Sequence, residues 1–257
     1  MAKRGFVASA SQRSVVVAAC LVLAGCSTSA KVVDDPTMPR TGNAFLVRGL
    51  MEIFSLGLND VKSDLRAEGV NAHTVSGMQW SNLARTIAAA RSDGRLNEPI
   101  VLVGHSYGAD DAIKVARSLD QGGIPIEALV LIDPTTPQTI PPNVRRCFNI
   151  YKSSPVTDWI PVLRGVAVHA DSDVTELINL DLRTSLRASE FSSLNHFDIE
   201  ESPAIHAMIV QEVLLHCPWR VASRSEQARQ VATSTPPALR PPDETAMGAL
   251  DGREERH

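Results

Sequence analysis

The sequence lacks an excess of positive charge, a metal-binding motif, a membrane-length apolar run and any internal repeat, and each absence removes a class of function. The formal net charge is −4. Three cations, Lys3, Arg4 and Arg13, stand in the N-terminal segment without a single acid, so the remainder is more acidic still. No basic stripe interrupts it, and such a chain is a poor partner for a phosphate backbone. Nucleic acid is therefore not expected. Neither an H-E-x-x-H nor a C-x-x-C pattern occurs, so no metal or other cofactor is implied. The apolar stretch "SVVVAACLVLAGC" is too short to cross a bilayer as a mature helix. What remains is a chain of 257 residues, 44% hydrophobic and 21% charged, which suits one globular core and a tail.

The N-terminus reads as an address. A positive flank, a short apolar stretch and small residues before a cut describe a secretory signal peptide over residues 1–25. Its end, Leu23-Ala24-Gly25-Cys26, resembles the bacterial lipobox. That resemblance implies that Cys26 is acylated and holds the chain on a membrane. Ser27, rather than Asp, implies an outer-membrane address, so the expected location is the bacterial cell envelope, facing the periplasm. Residues 26–42 are polar and contain proline, as a tether would. From residue 220 to 257 there are two proline pairs, mixed charges and no apolar period, and this tail is expected to be disordered. The catalytic domain is bounded at residues 43–219. Of four cysteines, Cys20 leaves with the signal and Cys26 carries lipid. Cys147 and Cys217 are expected to pair in an oxidising compartment, two buried thiols being the alternative.

Between tether and tail, apolar runs alternate with helical periods. Strands are expected at 44–47, 70–75, 99–103, 127–132 and 145–151. Helices are expected at 58–68, at 81–91, and after Ser106 until Gly122-Gly123. A last helix begins with Ser202 as N-cap and Pro203 in its first turn. This alternation predicts an α/β fold, a mostly parallel sheet covered by helices on both faces. Reactive groups in such sheets gather at the carboxyl ends of the strands.

"PIVLVGHSYGADDAIKVA" places Ser106 at such an end, between Gly104 and Gly108 and immediately before a helix. That is the strand-turn-helix setting of a G-x-S-x-G nucleophile elbow. Side chains two residues either side of a serine so placed would collide with the neighbouring strand and helix. The hydroxyl needs a base. His196, in the polar stretch before the last helix, is the first candidate, with His169 the alternative; His73, His105, His206, His216 and His257 are less well placed. For the acid, Asp133 ends the strand "EALVLI" and is preferred to Asp158, which lies in a loop after the next strand. Oxyanion donors are expected at the amides of Tyr107 and of Leu50, beyond Arg48-Gly49. Asp110 and Asp111 are read as solvated residues offsetting the helix dipole. Met78 and Trp80 are read as core, with an acyl pocket as the alternative.

These residues together resemble the α/β-hydrolase family of serine lipases and esterases over about residues 43–217. The resemblance implies a hydrolase of carboxylic esters working through an acyl-enzyme on a small ester or lipid substrate. Two departures stand out: Arg48 replaces the family's loop histidine, and the domain is minimal, with no evident lid. Oligomeric state is not legible. The rival reading is a non-catalytic envelope lipoprotein that uses a hydrolase scaffold as an interaction module.

Overall fold

The computed structural model describes residues 32–49, 57–156, 158–160 and 164–221. The expected signal peptide, the lipobox with Cys26, Leu50 and nearly all of the expected tail lie outside them. Among the described residues no helix is long and apolar enough to cross a membrane.

Six strands form one parallel sheet: β1 (Asn43–Arg48), β2 (Asn71–Ser76), β3 (Ile100–His105), β4 (Ile126–Ile132), β6 (Val144–Tyr151) and β8 (Glu176–Asp181), in the order β2-β1-β3-β4-β6-β8. A second pair, β5 (Thr139–Ile140) and β7 (His169–Ala170), stands apart. Side chains alternate between the two faces of the sheet, and both faces are buried. Phe45, Val47, Ile100, Leu102, Leu129 and Leu131 face α2 (Trp80–Ser92) and α3 (Tyr107–Asp120). Ala44, Leu46, Val101, Val103, Val130 and Ile132 face α1 (Gly57–Ala67) and α4 (Pro203–His216). A central strand covered on both faces needs apolar residues in succession, which is why "IVLV" carries no alternation.

The chain builds outward from β1 to β2, then returns to β3 on the other side of β1 and continues the opposite way. The reversal falls between β1 and β3, and ligands of open parallel sheets bind at such points. Ser106 follows β3 directly.

Three expectations are corrected here. Part of the tether is packed structure: Val32 is buried, and the Asp34 carboxylate accepts the Asn97 amide at 2.6 Å and the Asn43 side-chain amide at 2.8 Å. The Arg40 guanidinium lies 4.2 Å over the Trp219 ring, so the described domain begins by residue 32 rather than 43. Cys147 and Cys217 are free and buried. They belong to the apolar layers on opposite faces of the sheet, so the strand itself separates the thiols. The edge strand β8 went unforeseen because its side chains are all exposed or half-buried and write no strong pattern.

Candidate active site

The elbow is built as its glycines require. Ser106 has φ 57° and ψ −128°, a left-handed conformation costing about 1–3 kcal/mol in a non-glycine residue. A Cβ on Gly104 would stand 2.4 Å from the Gly108 carbonyl oxygen, and one on Gly108 would stand 2.2 Å from the Val47 carbonyl oxygen. The first glycine therefore admits the start of α3, and the second admits the end of β1. The Ser106 amide donates to the Ile132 carbonyl at 2.9 Å, tying the elbow to the end of β4.

Asp133, next to Ile132, is the other non-glycine residue with positive φ among those described, at 49°. This turn aims its carboxylate along the sheet edge, where it is 1% exposed. Its two oxygens are both engaged: Oδ1 accepts the Lys152 amide at 2.8 Å, and Oδ2 accepts from His196 Nδ1 at 2.9 Å. His196 Nε2 in turn lies 2.8 Å from Ser106 Oγ. A carboxylate only accepts, so Nδ1 carries the proton and Nε2 is left free to receive one from the serine. The sequence separates these three residues by 27 and 63 positions; the sheet edge joins them in one line.

Asp158 does not reach this line. Its Oδ1 accepts the Ser154 amide at 2.8 Å, as a local turn cap. His169 lies in the outlying pair with β5 and is exposed. Tyr107 opens α3, so its N–H is one of those a helix leaves without an intrahelical acceptor, and it follows the serine directly. Asp110 and Asp111 differ from expectation. Asp110 is 3% exposed and accepts from the hydroxyls of Thr135 at 2.5 Å and Thr136 at 2.9 Å, pinning the segment after Asp133 to the first turn of α3. Asp111 pairs with Lys114 at 2.7 Å; burial raises its carboxyl above the usual range against the opposing pull of that lysine. Trp80 packs against the core but Met78 is exposed, so core packing holds for the tryptophan alone.

Two supporting residues carried no sequence signal. Lys152, just past β6, gives its amide to Asp133 and its Nζ to the carbonyls of Phe191 (2.9 Å), Ser192 (2.9 Å) and Leu194 (2.5 Å). It thus holds Asp133 with its main chain and the loop before His196 with its side chain. Gly165 lies against the acid: a Cβ there would stand 1.8 Å from Asp133 Oδ1. A cavity of about 350 Å³ opens beside the histidine, lined by Asp133, Lys152, Ser154, Leu194, His196 and Phe197. Phe197 meets the His196 ring edge-on at 5.7 Å and is half exposed. Among the described residues no cluster of side chains suits a metal ion.

No family model matches the chain, and no curated protein matches it. Several solved structures do. RedJ, a thioesterase from the prodiginine biosynthetic pathway in Streptomyces coelicolor, is 15% identical over 81% of this chain and 97% of its own, with a TM-score of 0.39. A cutinase-like protein from Cryptococcus sp. is 9% identical over 68% of this chain and 94% of its own, with a TM-score of 0.39. A variant of YbtT, a type II thioesterase from the yersiniabactin pathway, is 19% identical over 38% of this chain and 44% of its own, with a TM-score of 0.30. The parallel six-stranded sheet with helices on both faces is the α/β fold that the sequence predicts.

Proposed function

We propose that this protein is a serine hydrolase of carboxylic esters in which Ser106, His196 and Asp133 act as the catalytic triad. One observation carries the reading: an unbroken line from Ser106 Oγ to His196 (2.8 Å) and from His196 to Asp133 (2.9 Å), with the serine held in a strained turn. Ser106 Oγ attacks the acyl carbonyl while its proton passes to His196 Nε2. Asp133 keeps the ring in the receiving tautomer and offsets the imidazolium that forms. The tetrahedral oxyanion takes the Tyr107 amide, at the positive end of α3, as one donor. The Leu50 amide, expected from the sequence, is the proposed second; among the described residues, the end of β1 presses on Gly108 at the elbow. His196 returns its proton to the leaving alcohol, then activates the water that releases the acid.

The lipobox-like Leu23-Ala24-Gly25-Cys26 supports attachment of this hydrolase to the outer membrane through an acylated Cys26. Incorporation of a clickable fatty acid into the wild type and not into a Cys26→Ala variant tests the anchor. For the chemistry, a fluorophosphonate probe should add once to the wild type, at Ser106, and not to Ser106→Ala. A folded protein that neither reacts with the probe nor hydrolyses any aryl ester would instead support the interaction-module reading.

A further inference from the structure

Two buried ionisable side chains lie beside the triad and take no part in it. His105 ends β3, and Glu200 lies in the 3-10 turn Ile199–Glu201 just before α4. Their side chains are 4% and 0% exposed. His105 Nε2 is 3.1 Å from the main-chain carbonyl oxygen of His196, and Nδ1 is 3.0 Å from Glu200 Oε2. A carbonyl only accepts, so Nε2 carries a proton. A second proton belongs between Nδ1 and the carboxyl group. The approach there is a charge contact rather than an aligned hydrogen bond, and no described residue donates to either Glu200 oxygen. A carboxylate so enclosed is stabilised by a cation, and among the described residues His105 is the one within salt-bridge distance.

The surroundings fix Glu200. The His206 ring on α4 meets the Glu200 main-chain carbonyl, and a Cβ on Gly57 would stand 2.3 Å from that same oxygen. The charged groups facing His105 are Glu200 from the 3-10 turn and Asp133 from the end of β4, with the His196 ring 5.5 Å away. Burial opposes an imidazolium, but the two carboxylates outweigh it and raise His105 above the usual imidazole range.

We propose that His105 and Glu200 form a buried ion pair that positions His196 through its main-chain carbonyl. The base is then held from two sides, by Asp133 at its ring and by His105 at its backbone. The inference rests on His196 being the base; the pair itself is tested independently of activity.

Glu200→Gln keeps the shape and removes the charge, since the amide can donate to a neutral Nδ1. By nitrogen-resolved NMR of the histidines, His105 of the wild type should be doubly protonated at pH 7. In Glu200→Gln it should be neutral with Nε2–H. A His105 that is neutral in the wild type at pH 7 overturns the ion pair, whatever the variant does. Stability gives a second reading. A raised folded-state value means the pair's contribution is full below the unfolded imidazole value, about 6.5, and fades as pH rises through the folded one. The wild type's advantage over Glu200→Gln should shrink as pH rises, and a gap that is flat or grows overturns the proposal. For positioning, His105→Leu, which deletes the donor to the His196 carbonyl, should lower kcat between about tenfold and 10²-fold with KM unchanged, the scale of a small misplacement. An unchanged kcat overturns the positioning role, whereas a wild type without any activity overturns the hydrolase reading and leaves the NMR result standing.

Discussion

Replacing Asp133 by Asn offers the acid's amide two orientations, and the structure decides between them. The carboxylate meets two donors, the Lys152 N–H at 2.8 Å and the His196 Nδ1–H at 2.9 Å. An amide has one accepting oxygen and one donating nitrogen. If the oxygen faces His196, two N–H groups confront each other at Lys152 inside a site that is 1% exposed, an unmet pair costing about 1–3 kcal/mol. If the oxygen faces Lys152, the amide NH₂ donates to Nδ1, the histidine takes its proton at Nε2, and Ser106 Oγ accepts from it. Every bond is then made, and the base is useless. The satisfied arrangement is favoured, so turnover should fall about 10³–10⁴-fold, as in the serine-protease template. That corresponds to about 4–5.5 kcal/mol of activation free energy. Stability should change by under about 1 kcal/mol, since the buried bonds are retained. The assay is kcat/KM on a p-nitrophenyl ester, with urea unfolding in parallel. Activity within tenfold of wild type in the folded variant would refute the reasoning, and so would a larger loss in Asp158→Asn.

Gly165→Ala should lower kcat by about 10²-fold or more, because its methyl would occupy the place of Asp133 Oδ1; steady-state kinetics on the purified variant check this. Lys152→Met retains the amide bond to Asp133 but frees the three carbonyls before His196. A fall in kcat of about 10²-fold is expected, with the loop's amides exchanging faster with solvent deuterium. Burial pushes the Cys217 thiol up to about 12 and Cys147 higher still, so neither should react with iodoacetamide at pH 8 until the protein is unfolded; mass spectrometry of native and denatured samples decides. Among the described residues between Asp120 and His196 there are strands and loops but no helix. Short or medium acyl esters should therefore be preferred, with no jump in rate above the solubility limit, and a rate series across acyl length checks it.

Much of the site was legible because its parts depend on local rules. Gly104, Ser106 and Gly108 declare a turn by a pattern written within five residues, although the carbonyl that Gly108 makes room for belongs to β1. Asp133 was preferred because a strand ends on it, and β4 does position it. His196 could be placed by its station before the last helix, though nothing in "SSLNHFDI" distinguishes a base from a surface histidine. Lys152, Gly165 and Glu200 were invisible for a different reason. Each works by meeting a group far away in the chain, and a lysine, a glycine or a glutamate in a polar segment is written the same way whether it meets one or not. The cysteines failed similarly: spacing carries no information about which side of a sheet a thiol faces. β8 was lost because an edge strand, partly wet on both sides, need not alternate strongly.

The amides of Ser106 and Asp133 are themselves rungs of the sheet, one donating to Ile132 and the other to Ile150. Ser106 and Asp133 are therefore each anchored by a main-chain rung, one joining β3 to β4 and the other joining β4 to β6. His196 sits instead on a loop fastened by the Lys152 ammonium to three carbonyls and by His105 to the His196 carbonyl. On heating, that fastening can open while the ladder stays closed. The proposed esterase activity should then be lost before the sheet melts, and a sample inactivated gently should regain it on cooling without having to refold.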